Sequence, residues 1–318
     1  MSNTQTNQQA ARARQMEALR RNVGVDVMRL LEDPGVVEVM LNPDGGLWVD
    51  VMGEGMRQVS VMDPVRSLSI INSVAALLGT VVTVDQPILE CELPIDGSRF
   101  EALVPPLVHQ PIFTIRKKAL LVFSLDDYVT KGIMTVQQKE AVEEAVKNRE
   151  NILVAGGTGT GKTTFANAVL HATSIITPDH RIVIIEDTLE LQCAAPNTVF
   201  LRTSENTDMT RLLRATMRLR PDRIVVGEVR DGAALALLKA WNTGHPGGVG
   251  TVHANSAEAA LVRIGQLIQE AGVPAQPELI AEAVNVVVSI KRTVEGRVVD
   301  QIAKVAGFEG GKFVIRTY

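Results

Sequence analysis

The sequence of 318 residues predicts an α/β protein in two parts: a mostly parallel sheet layered with helices, preceded by a small α+β domain. Three observations predict it. The length corresponds to about two domains at roughly 150 residues each. Up to Lys118, short strand-like runs are separated by Gly- and Asn-rich turns, as in antiparallel hairpins. From Thr135 onward, short apolar runs alternate with helical segments, the pattern of βαβ units in a sheet covered on both faces. The expected division is 1–118, a linker at 119–134, and 135–318.

A first helix is expected over Met16, Leu19, Val23, Val27, Leu30 and Leu31, ending at Asp33-Pro34-Gly35. Strands follow at Val36 to Leu41, Leu47 to Met52 and Met56 to Val61, divided by Asn42-Pro43-Asp44-Gly45-Gly46 and Gly53-Glu54-Gly55. Ser67 to Val84 is uncharged and about as long as the shortest membrane span. Its polar residues and helical spacing of Leu68, Ile71, Ala75 and Leu78 read instead as a helix with one buried face, followed by a strand. Further strands are expected near 88–93, 99–104 and 112–117, completing a meander with helices on one side. Ala119 to Met134 has no clear period. A helix at Thr135 to Lys147 then precedes strands at 152–155, 181–185 and 224–226. Antiparallel strands at 286–291, 297–305 and 312–316, turning at Glu295-Gly296 and Gly310-Gly311, close the chain.

Composition narrows the function. With 46% hydrophobic and 21% charged residues the chain is globular, and 32 Lys+Arg against 36 Asp+Glu leave a net charge of -4. No global positive field draws it to nucleic acid, and 3% aromatic residues supply no stacking track, so direct DNA binding is not expected. Cys91 and Cys193 lie in no metal-like spacing and read as buried thiols of a reducing compartment. The polar stretch Met1 to Gln9, followed by Arg12, Arg14, Arg20 and Arg21 without an apolar block, does not resemble a cleavable secretion signal, which points to the cytoplasm.

The strongest motif is Gly156-Gly157-Thr158-Gly159-Thr160-Gly161-Lys162-Thr163, with an apolar strand before it and a helix-forming run after it. Glycines let backbone N–H groups converge on phosphates, and the helix start adds its positive end. Lys162 supplies a point charge to the phosphates and Thr163 a hydroxyl to Mg2+. Together with Thr164 these nine residues form the expected ATP-binding set. Glu186, Asp187 and Glu190 follow a strand end, where a carboxylate can orient and deprotonate water. A second acidic turn, Gly227-Glu228-Val229-Arg230-Asp231, has glycine where an aspartate usually ends the strand, so Glu228 suits a water-mediated contact to Mg2+. In the third cluster, His245 beside Pro246 reads as part of a turn, and His253, before Asn255-Ser256, as a sensor of the γ-phosphate or of a subunit edge.

In this order the P-loop, Ile185 to Glu190, Gly227 to Asp231 and Gly250 to Asn255 resemble the Walker A, Asp box, Walker B and His box of the secretion and traffic ATPases, most like the branch serving conjugative transfer. The resemblance implies a RecA-like P-loop domain, with Lys162 and Thr163 on phosphate and Mg2+, Glu186 as water-activating base and Glu228 on Mg2+ through water. It also implies that Arg99 and Arg116 from the first domain neutralise the γ-phosphate. Thr188 stands where proline is frequent in the Asp box. The implied assembly is a homohexamer at the cytoplasmic face of the inner membrane, in contact with other type IV secretion components. Two other readings stay open at this level: a P-loop motor that translocates on nucleic acid, and a nucleotide switch that scaffolds without hydrolysis. A small-molecule kinase leaves the first domain and its two arginines without a role.

Overall fold

A computed structural model describes residues 3–118, 122–204, 206–293 and 296–318, with side chains from Ala10 onward. Met1 and Ser2, the start of the expected linker at 119–121 and Glu295 of the expected turn lie outside the described residues. Contacts divide the chain into two compact units, Met1–Leu120 and Leu121–Tyr318.

The first unit runs α1 (Asn3–Glu32), β1 (Val36–Leu41), β2 (Gly46–Val51), β3 (Gly55–Val61), α2 (Pro64–Leu77), β4 (Ile88–Glu92), β5 (Arg99–Leu103) and β6 (Ile112–Arg116). Leu19, Val23, Val27 and Leu31, at helical spacing on α1, share one core with Ile70, Ile71 and Val74 of α2 and with Val39, Val49, Phe100 and Ile115 of the sheet. Arg12, Arg14, Arg20 and Arg21 are exposed. α1 is interrupted at Gly24, whose φ of 75° is left-handed. There the Arg66 guanidinium donates to the carbonyls of Val23 and Asn22 at 2.7 and 3.2 Å, satisfying groups that the break leaves open.

Two expectations for this unit are corrected. The sheet order is β3-β2-β1-β6-β5-β4, two three-stranded meanders joined between β1 and β6 rather than one continuous meander. The α2 connection carries the chain from one sheet edge to the other, so β4 never meets β3. The strand expected after α2 does not form: Thr83 and Gln86 exchange backbone hydrogen bonds at 3.1 and 3.2 Å, turning the chain, and Val81 and Val84 are exposed.

The second unit runs α3 (Leu125–Thr130), α4 (Val136–Lys147), β7 (Ile152–Gly156), α5 (Lys162–Ile176), β8 (Ile182–Glu186), β9 (Thr198–Arg202), α6 (Met209–Thr216), β10 (Arg223–Val226), α7 (Ala233–Asn242), β11 (Val249–Val252), α8 (Ala257–Glu270), α9 (Pro277–Ala283), β12 (Val286–Thr293), β13 (Gly296–Glu309) and β14 (Lys312–Thr317). The sheet order is β14-β13-β12-β7-β11-β10-β8-β9, parallel from β12 to β9 with β13 and β14 added antiparallel. Each central strand feeds two cores through its two-residue period. Ile152 and Val154 of β7 pack with Val142, Phe165 and Val169, whereas Leu153 and Ala155 pack with Leu237, Trp241 and Leu261.

The expected linker contains α3, started by a reciprocal Ser124–Asp127 capping box and packed into this unit through Leu125 and Tyr128. Cys91 and Cys193 are free thiols, half-buried rather than buried. Opposite the P-loop end of the sheet, two buried polar residues tie segments distant in sequence. Asn151 accepts from Gly248 N–H at 2.8 Å and donates to Ala283 C=O at 2.7 Å. Arg223 donates to Val146 C=O at 2.8 Å, Gly247 C=O at 2.9 Å and His180 Nδ1 at 3.0 Å. Burial, reinforced by the charge of Arg149, lowers the Arg223 pKa to about 10. Burial and both arginines push His180 down.

Candidate active site

β7, buried throughout, delivers Gly156 to the loop that ends where α5 begins at Lys162. The loop closes tightly because it lacks side chains where it turns. A Cβ at Gly156 would lie 2.5 Å from Thr160 Oγ1 and 2.7 Å from the Ile290 carbonyl oxygen, and Gly161, which caps α5, has a φ of 98°. Thr160 Oγ1 and Lys162 Nζ each donate to Gly157 C=O at 2.9 Å. Lys162 is buried, Gly157, Thr163 and Thr164 are half-buried, and Thr158 and Gly159 are exposed at the tip.

Glu186 is the last residue of β8, and its Oε1 accepts from the backbone N–H groups of Glu190 and Leu191, both at 3.0 Å. The side chain occupies the space that a larger residue 227 would take: a Cβ there would be 2.7 Å from Glu186 Cγ. The glycine in place of an aspartate at the end of β10 therefore has a steric reason. Asp187 is anchored by Thr203 Oγ1 at 2.9 Å.

Glu228 Oε1 meets His253 Nε2 at 2.9 Å, and its Oε2 accepts from Arg230 Nη2 at 2.8 Å. Arg230 Nη1 lies 3.7 Å from Asp187 Oδ2, and His253 Nδ1 lies 3.4 Å from Lys162 Nζ. One polar chain, Lys162–His253–Glu228–Arg230–Asp187, thus connects all four motifs. Burial draws the Arg230 pKa down, but the hydrogen bond to Glu228 and the charges of Glu228, Asp187 and Glu190 outweigh it and hold the group above its ordinary value. Thr251 Oγ1 donates to Gly227 C=O at 2.7 Å and Val229 N–H to Thr251 C=O at 2.8 Å, fixing the acidic turn against β11.

Lys162, Thr163, Glu186, Glu228 and His253 thus gather at the C-terminal ends of β7, β8, β10 and β11, while Arg99 and Arg116 belong to the first unit. They are cross-strand neighbours on β5 and β6, with Arg116 Nε 3.5 Å from Glu38 Oε1. Sequence reasoning gave no role to Arg230, Thr203 or Thr251. Arg230 had a signal, since a cation two residues after an acidic one in a turn can fold back on it.

Among the described residues no cluster of three His, Cys, Asp or Glu side chains forms a metal cage. Mg2+ needs none, because it binds through one or two protein oxygens plus substrate phosphates. The side-chain-free cradle, the Lys162 ammonium, the Thr163 hydroxyl and the Glu228 carboxylate suit such an ion carried by a polyphosphate.

The family model described as "Type II/IV secretion system protein" matches residues 25–303. The chain belongs to that family. It is 50% identical over 304 residues to a probable conjugal transfer protein TrbB of Sinorhizobium fredii, covering 96% of this chain and 94% of the relative. It is 49% identical over 305 residues to the conjugal transfer protein TrbB of Rhizobium radiobacter, with the same coverage. Among solved structures, the Legionella pneumophila ATPase DotB superposes with a TM-score of 0.62 at 19% identity, over 85% of this chain and 77% of that one, a likeness of fold. The expected class, a RecA-like P-loop domain preceded by a small α+β domain, is the one this family member adopts.

Proposed function

We propose that this chain is the ATP-hydrolysing motor of a conjugative type IV secretion system, coupling Mg-ATP hydrolysis to domain movement that drives channel or pilus assembly or substrate transfer. The observation that carries the reading is the polar chain from Lys162 to Asp187, which ties a phosphate-binding loop to three acidic or histidine motifs on adjacent strand ends. The names of the two rhizobial relatives support the conjugative setting.

In this reading the loop from Gly156 to Gly161 binds the phosphates through its backbone N–H groups. Lys162 balances their charge, and Thr163 and Thr164 complete the helix start. Mg2+ supplies further neutralisation of phosphate charge, with Thr163 as its direct protein contact and Glu228 holding its water shell. Glu186, fixed through Oε1, orients and deprotonates the attacking water with its other oxygen. His253 senses the γ-phosphate through Lys162. Arg99 and Arg116 stabilise charge that grows during transfer. The assembly is a homohexamer working with other type IV secretion components in the cytoplasm, peripheral to the inner membrane, where the four exposed arginines of α1 suit an anionic surface. Among the described residues no helix is long and apolar enough to cross a membrane.

The test is steady-state phosphate release from ATP by the purified chain beside Lys162→Ala. Magnesium-dependent turnover that disappears in the variant is expected. Intact ATP binding without turnover in the unaltered chain, alone and with its secretion partners, would overturn the motor reading.

A further inference from the structure

Asp231 and Arg230 follow Glu228 in the same turn, and the fold uses only one of them. Asp231 Oδ1 accepts from Ala233 N–H at 2.8 Å and starts α7. Arg230 has no such local duty: its side chain is 47% exposed, and its two printed ion-pair partners are carboxylates from different motifs. One of these is a fixed post. Asp187 Oδ1 is held by Thr203 Oγ1 at 2.9 Å, and its backbone carbonyl accepts from Arg202 Nε at 3.2 Å. The other, Glu228, has its two oxygens divided, Oε1 to His253 and Oε2 to Arg230.

We propose that Arg230 is a positioning residue: pinned by Asp187, its guanidinium holds the Glu228 carboxylate in the orientation that also engages His253 and, through His253, Lys162. The inference rests on the ATPase reading and deepens it. Glu228 is the acceptor for His253 Nε2, so that nitrogen carries the proton, and Nδ1 accepts from the Lys162 ammonium 3.4 Å away. Arg230 thereby sets the imidazole tautomer at one remove. A planar guanidinium can reach two carboxylates in fixed directions, whereas a lysine ammonium is a single point charge. Half-exposed ion pairs add little to folding stability, so the effect of Arg230 is read in orientation rather than in melting.

The experiment compares the full-length chain with Arg230→Gln, Arg230→Lys, Asp187→Asn and the double variant Arg230→Gln/Asp187→Asn. Removing Arg230 is expected to lower kcat about 10- to 100-fold, the range for residues that orient a directly acting group. The KM for ATP should stay within about twofold, the pattern of an interaction that matters in the transition state. Arg230→Lys should fall between the two. The double variant should lose little beyond Arg230→Gln, because both changes break one linkage.

A second readout needs no turnover. The 15N imidazole signals of His253 in nucleotide-free protein should show the Nε2–H tautomer in the unaltered chain and a mixture in Arg230→Gln. An unchanged kcat, a loss confined to KM, or losses that multiply in the double variant would overturn the proposal. Should the unaltered chain fail to hydrolyse ATP, the ATPase reading falls by itself, and the His253 spectrum decides: an unaltered tautomer in Arg230→Gln overturns the positioning role.

Discussion

Replacing Gly227 by alanine isolates the packing that places Glu186. Gly227 is not among the residues with left-handed φ, so alanine meets no backbone strain there. Its Cβ, however, would lie 2.7 Å from Glu186 Cγ and 3.0 Å from Oε1. Carbon atoms rest about 3.5–4.0 Å apart, so the Glu186 side chain must retreat by about 1 Å. Moving away by that amount stretches the 3.0 Å contacts to Glu190 and Leu191 N–H beyond hydrogen-bond range. Overpacking costs about 1–3 kcal/mol. Losing one hydrogen bond to a charged group costs about 1.5–3 kcal/mol more. A net loss of about 3–5 kcal/mol corresponds to a melting point roughly 6–20 °C lower for a unit of this size. Misplacing the proposed base should also lower phosphate release by about 100-fold or more. Calorimetric melting and turnover of Gly227→Ala, Glu186→Ala and the double variant form the assay. Once Glu186 is shortened the clash disappears, so the double variant should melt no lower than Glu186→Ala alone. A Gly227→Ala protein that melts within about 1 °C of the unaltered chain, or losses that simply add, would refute the reasoning.

Asn151→Leu should destabilise the second unit by about 2–5 kcal/mol in chemical denaturation, because Gly248 N–H and Ala283 C=O would both be left buried without partners. His180 is held below its usual pKa of 6.5, so the unfolded chain takes up a proton first as pH falls. Stability is therefore full above about 6.5 and declines as pH drops toward the lowered native value. Melting points between pH 7.5 and 5.5 should show a smaller decline in His180→Asn, whose amide oxygen can accept from Arg223 without titrating. Arg99→Ala and Arg116→Ala should each reduce kcat at least about tenfold. Their melting points should stay within a few degrees, because exposed ion pairs such as Arg116–Glu38 contribute about 1 kcal/mol or less.

Which elements the sequence revealed follows from what stabilises them. β7, β8 and β10 are buried along their whole length, so their composition announces them. β9 is an edge strand with Phe200 and Arg202 exposed, and β11 includes Gly250, where a Cβ would come 3.3 Å from Trp241 Cη2. Both owe their form to neighbours distant in the chain, which local pattern does not encode. α3 did carry a local signal, the Ser124–Asp127 capping box, but it is too short to show a period. The P-loop was readable because its chemistry is contiguous. The polar chain around it was not, since Lys162 and His253 meet across 91 positions and only the order of the parallel strands brings them together.

That strand order also governs when the nucleotide site can exist during synthesis. β7 is flanked by β11 and β12, so Ile152 waits for Val249 on one side and Val286 on the other. A nascent chain that has displayed the whole glycine loop still lacks both walls of the strand that carries it, and the Ile290 carbonyl that crowds Gly156 emerges later still. Such late closure of distant pairings is slow and leaves open edges for chaperones or for misassembly. Nucleotide capture then becomes a signal of completion: ribosome-bound or prematurely terminated fragments ending before β12 would not compete for ATP.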